Sequence, residues 1–343
     1  MSSLKLNNVY LKAKYTVASK MEKEGPIGQY IDYLFNDNYC GESSYEKAEQ
    51  RLNSVAIDGV LKNNIILKDV DVFIGSDLLN QIGSSNYTMR DYNVPFIGTY
   101  SACAASGLNI ILGSMFIESG QYNNVLVFSS SHNNTAERQF RFPIEYGVQK
   151  KETSTYTVTG SGALILSNEV SDIRVGSTTI GKVIDYGLDN VNDFGSCMAI
   201  AAYDTFKRHF KELNLDYSYY DLVLTGDLSK VGKAIFERLL KEDNILVNEY
   251  NDCGLLIYDI NKQKVFSGGS GCACSMITVL SLIIEKLRKK ELKRVLVIAT
   301  GALLSNTIIN QKETIPTIAH AYSLEYNELW VYFMLLFLEE LFP

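Results

Sequence analysis

This chain repeats itself, and the repeat limits the folds open to its 343 residues. Residues 69–78 read DVDVFIGSDL and residues 220–228 read YDLVLTGDL, each an apolar strand running into Gly, Asp and Leu. Residues 102–120 (ACAASGLNIILGSMFIESG) form a small-residue turn leading into a helical pattern, and the strand-like NVLVFS follows at 124–129. Residues 272–290 (CACSMITVLSLIIEKLRKK) do the same and run on to RVLVIAT at 294–300. Matching order and matching punctuation indicate a duplicated unit. The second copy carries an added stretch near 240–262, which reads as strand-like at 254–258.

Strand and helix alternate in each half. Short apolar runs such as 125–128 suit parallel strands buried on both faces, with helices as crossovers. The expected fold class is α/β, with two similar halves packed face to face. The first spans about 1–170 and the second about 175–326, with Gly176 and Gly181 near the join. An apolar tail at 327–343 stands apart. Its run LWVYFMLLFL falls short of the roughly 20 residues that cross a bilayer, so it reads as a docking segment, an interfacial helix or the truncated start of something longer.

Composition excludes several classes. The net charge is −7 and no long basic run occurs, so nucleic acid is not an expected partner. The N-terminus lacks the apolar core of a secretory signal. The six cysteines are scattered, which suits reduced thiols in a cytosolic compartment. With three histidines (His132, His209 and His320), no metal site is expected, and no cofactor.

Cys103 lies between the extended segment 94–100 and the helical run after it. A helix N-terminus stabilises a thiolate, and Ala102, Ala104, Ala105 and Gly107 leave room for a ligand at the sulfur. The alternative is a buried small residue at a tight turn. A duplicated α/β chain with a cysteine in this turn resembles the thiolase and ketoacyl synthase superfamily, with its α-β-α-β-α layering. There the cysteine is acylated, and His or Asn partners lie on loops of the second half. Here those loops read Gly226-Asp227-Leu228, Gly268-Gly269-Ser270-Gly271-Cys272 and Thr300-Gly301-Ala302, none with a histidine. Condensation needs an oxyanion hole and a proton-transfer group. The expectation is therefore a chain that is not an enzyme.

Residues 129–162 narrow the resemblance. Ser131-His132, the run from Thr135 through Arg138 and Arg141 to Pro143, Glu145-Tyr146-Gly147 and Thr157-Val158-Thr159-Gly160 are similar to the stage V sporulation protein AD family. Glu24-Gly25-Pro26, Gly41-Glu42, the segment 77–81 and the Gly-rich loop agree in order. The resemblance implies a thiolase-like fold and a subunit that binds dipicolinic acid, alone or with calcium. It implies a role in moving that acid in sporulation and germination beside membrane subunits. It places the protein in the cytoplasm, peripheral at the forespore or spore inner membrane. It also implies a homodimer, expected along the strand 124–129.

Dipicolinate is a flat dianion, so arginine pairing and an aromatic wall would suit it. Arg138 and Arg141 with Phe140 and Phe142 are candidates. Cys103, His132, Thr135, Gly271 and Asp227 complete the expected ligand-binding set. Ion pairing of the arginines with Glu137 and Glu145, and a structural hydrogen bond for His132, are the alternatives. An acyltransferase using Cys103, or a ligand-free scaffold for membrane partners, are the competing functions.

Overall fold

The computed structural model describes residues 2–62, 64–140 and 150–328. Among these, ten strands build one topology twice. Across the first half the order is Tyr10–Ala18, Gly160–Ser167, Asn124–Ser131, Val72–Ser76, Phe96–Gly98. Across the second it is Ile173–Thr179, Thr317–Tyr326, Arg294–Ala302, Leu222–Thr225, Tyr250–Asp252. In chain order both read 1-5-4-2-3. In both, the first two neighbour pairs are antiparallel and the last two parallel. The halves join edge to edge at one antiparallel pair, Tyr10 with Arg174.

The layering is α-β-α-β-α. Two helical segments fill the middle, Ala105–Glu118 and residues 272–288, and both touch strands of the two halves. The first is apolar nearly all round, as a helix between two sheets must be. It approaches closely because Gly107 has no side chain: a Cβ there would lie 2.6 Å from the Ala299 Cβ. Outside, Tyr45–Leu61 covers the first sheet, while Phe194–Leu213 and Ser229–Glu242 cover the second. Ser44 and Asp193 cap two of these helices by accepting the Lys47 and Ser196 backbone N–H groups.

Two expectations need correction. The segment 254–258 is not a strand: Cys253–Leu256 is a helical turn capped by Asp252, and the strand lies before it at Tyr250–Asp252. That strand is no insertion, because Phe96–Gly98 holds the same place in the first half. The strand Asn124–Ser131 is no dimer edge either. It is hydrogen-bonded on both sides and buried throughout, so its backbone groups are already used. Among the described residues no helix is long and apolar enough to cross a membrane.

Candidate functional site

The turn after Phe96–Gly98 carries Cys103. Ala102 adopts φ = 46°, a left-handed conformation that costs about 1–2 kcal/mol for a residue with a Cβ. This kink sets Cys103 just ahead of the helix that starts at Ala105. Cys103 is partly exposed, whereas the other five cysteines are buried.

The three second-half loops converge on this thiol. Cys103 Sγ lies 4.0 Å from Ser270 Oγ. Asp227 is fully buried and accepts hydrogen bonds from Thr300 Oγ1 at 2.6 Å and the Gly271 N–H at 3.0 Å. Burial raises its pKa above the ordinary carboxylate value, opposed by hydrogen bonds from Thr300, Gly271, Cys103 and Ser270. Gly271, at φ = 104°, is needed because a Cβ would lie 2.5 Å from Ser131 Oγ. A carboxylate and two hydroxyls thus occupy the place where base and oxyanion donors were sought.

The late histidine also comes near. His320 sits on Thr317–Tyr326, with Nδ1 accepting the Gly181 N–H at 3.1 Å. Nε2 therefore carries the proton and faces Ser101 Oγ at 3.3 Å, two residues before Cys103. Burial, helped by the Arg208 charge, lowers its pKa to about 4. It is neutral, used within the fold, and not on the cavity side.

Two cavities lie in front of Cys103. The inner one is about 20 Å3 and mostly apolar, with Leu78, Tyr100, Phe140, Phe194 and Met198 among its walls. Among the described residues no Lys, Arg or His lines it. The outer chamber is about 260 Å3 and mixed, with Glu137, Lys150, Asn192, Asn306 and Asn310 around apolar walls. Phe140 and Phe194 line both, so the two rings divide one space in two.

His132, Thr135 and Arg138 form a different network. His132 caps the helix Asn133–Gln139: Nδ1 accepts the Asn134 N–H at 3.1 Å, so Nε2 donates to the Asn38 carbonyl at 2.8 Å. Burial lowers its pKa to about 4. Thr135 Oγ1 meets Glu49 at 2.9 Å, deep in the first half. Arg138 pairs with Glu46 at 3.1 Å and lies over the Tyr45 ring, near the surface. The helix turns Glu137 to the chamber and Arg138 outward, which brings Arg138 to Glu46. Arg141, like Phe142 and Glu145, lies outside the described residues. The structure thus unites Cys103, Asp227 and Gly271, and sets His132, Thr135 and Arg138 apart.

The family model for stage V sporulation protein AD matches residues 2–325. The chain belongs to that family. It is 48% identical over 314 residues to stage V sporulation protein AD of Bacillus subtilis (strain 168), covering 91% of this chain and 93% of that protein. Solved enzymes share the fold at far lower identity. The 3-oxoacyl-[acyl-carrier-protein] synthase III of Aquifex aeolicus VF5 matches with TM-score 0.54 and 13% identity, over 93% of this chain and 100% of that one. A variant of OleA from Xanthomonas campestris matches with TM-score 0.57 and 13% identity, over 94% and 100%. At such identity these two establish the thiolase-like fold alone.

Sequence reasoning passed over Phe194, Lys150 and Asn192 as site residues. Phe194 follows a helix cap, and nothing local distinguishes it from a core residue. Glu137 and Lys150 stood in the distinctive segment, but their pairing joins positions that no periodicity connects.

Proposed function

We propose that the chain is a non-catalytic subunit that binds dipicolinate during its transport in sporulation and germination. The observation that carries this reading is the divided cavity on a His-free thiolase-like site. A thiolate at Cys103 would face mostly apolar walls, with no cation among the described residues that line them. The outer chamber offers what a flat ring acid needs: the Phe140 and Phe194 rings and the Lys150 ammonium. Its volume of about 260 Å3 fits one substituted ring, since a cavity of about 150 Å3 holds benzene. On this reading the protein works as a homodimer, on the cytoplasmic side of the forespore membrane beside membrane-embedded subunits.

Titration calorimetry with dipicolinate tests it. Saturable heat is expected, with Phe194→Ala and Lys150→Ala each weakening binding about tenfold or more. Arg138→Ala should weaken it less than about twofold. No heat at millimolar ligand would sink the reading. The likeness to acyl-transferring enzymes leaves acylation of Cys103 as the second reading. Incubation with acyl-CoA followed by intact mass measurement is expected to show no adduct.

A further inference from the structure

The wall of the outer chamber holds two buried acceptors that lack hydrogen-bond partners among the described residues. Glu137 is 1% exposed and lines it. Its Oε1 is paired with Lys150, while Oε2 has no hydrogen-bond partner among the described residues. Asn192 Oδ1, on the facing loop, is also buried without one. A buried acceptor left unmade costs about 1–3 kcal/mol, and folded proteins rarely keep several together. Fully ionised dipicolinate would bring only more acceptors: four carboxylate oxygens and a ring nitrogen. A second carboxylate placed beside Glu137 is repelled by it unless a proton lies between the two.

We infer, on the ligand reading above, that one proton enters the chamber with the ligand and is held between a ligand carboxylate and Glu137 Oε2. The proton comes from solvent. One O–H bond forms, no heavy-atom bond changes, and the second ligand carboxylate faces Lys150. Among the described residues Glu137 is the one carboxylate lining the chamber. The groups facing it are Lys150, Asn192 from the loop before Phe194–Leu213, and Asn306 and Asn310 from the helical turn Asn306–Ile309 and the residue after it. Tyr156 also feels its charge, from the strand Tyr156–Thr157, and Asn133 lies one turn back on its own helix. None of these facing groups is a second acid that could share the proton.

The test is calorimetry with dipicolinate in metal-free buffers of equal pH and different ionisation enthalpy. Wild type is expected to take up about one proton per ligand, and to bind about tenfold more weakly per pH unit as pH rises. Glu137→Gln, checked for folding by circular dichroism, presents an N–H in place of the shared proton. It should bind with near-zero proton uptake and a flat pH profile. Binding without proton uptake in wild type would overturn the inference and leave the ligand reading standing. Uptake unchanged in Glu137→Gln would also overturn it, as would tight binding that appears only with added calcium, where a cation fills the proton's place. No binding at any pH would remove the ligand reading and this inference together.

Discussion

Asp77 and Asp227 hold the same place in the two halves, each at the end of the second strand, yet they serve different ends. Asp77 works locally, accepting the Leu79 and Ser85 N–H groups at 2.8 and 2.6 Å. Asp227 reaches across the molecule to Thr300 and Gly271, and its carboxylate meets Cys103. Burial raises the pKa of both. The turns before the central helices diverge likewise. Ala102 and Gly271 both precede a cysteine at positive φ, 46° and 104°. Cys103 opens on a cavity, whereas Cys272 is sealed and its thiol meets the Ser130 carbonyl. Taking these turns as equivalent aligns Ser106 with Ser275, and their hydroxyls bond to each other at 2.7 Å between the halves. A duplicated scaffold can therefore keep its topology while one copy becomes plug and the other pocket.

Substitution at the two turns should separate them most. Gly271→Ala is expected to cost about 3 kcal/mol or more in urea denaturation, through both strain and the clash with Ser131. Ala102→Gly should stay within about 1 kcal/mol of wild type, because relieved strain offsets added chain entropy. Equal costs would erase the distinction.

The two aspartates come next. Asp77→Asn and Asp227→Asn should each destabilise by about 1–3 kcal/mol, since buried N–H groups lose a charged acceptor. Only Asp227→Asn should change Cys103. Removing a negative neighbour favours the thiolate, so alkylation by iodoacetamide should rise severalfold. A similar rise in Asp77→Asn would break the assignment.

Asp252 sharpens the contrast through pH. It ends the edge strand of the second half, where Gly98 stands in the first, and its carboxylate holds the Leu228, Ser229 and Gly254 N–H groups. Burial pushes its pKa up to about 6. The folded state thus keeps a proton that the unfolded chain has already lost. Its contribution to stability is complete below about pH 4 and is lost as pH rises through about 6, at no more than about 1.4 kcal/mol per pH unit. Denaturation of Asp252→Asn across that window should show a flatter profile than wild type.

The smallest effect belongs to the serine pair. Ser106→Ala and Ser275→Ala should each cost about 0.5–1.5 kcal/mol, and the double mutant less than their sum. Strict additivity would mean that the hydroxyl contact between the halves contributes nothing.

Residues 69–78 and 220–228 already carried the duplication, because strand and helix periods are local properties of the chain. The family was legible too, in the run around Thr135 and Arg138. So were the loops facing Cys103, since topology places loops before side chains are known. Side-chain direction was not legible. Glu137 and Arg138 are neighbours in sequence, but one helix turn sends the first into the chamber and the second to Glu46. His132 looked like a ligand residue and is a helix cap, because Asn38 supplies its partner from a distant part of the chain. Sequence alone determined the repeated α/β scaffold, the absence of histidine from the three facing loops and the family. Only the tertiary structure decided that Asp227 meets Cys103, that Phe140 and Phe194 divide the cavity, and that Glu137 Oε2 has no donor among the described residues. Those three features depend on contacts between segments far apart in the chain, which local propensity cannot specify.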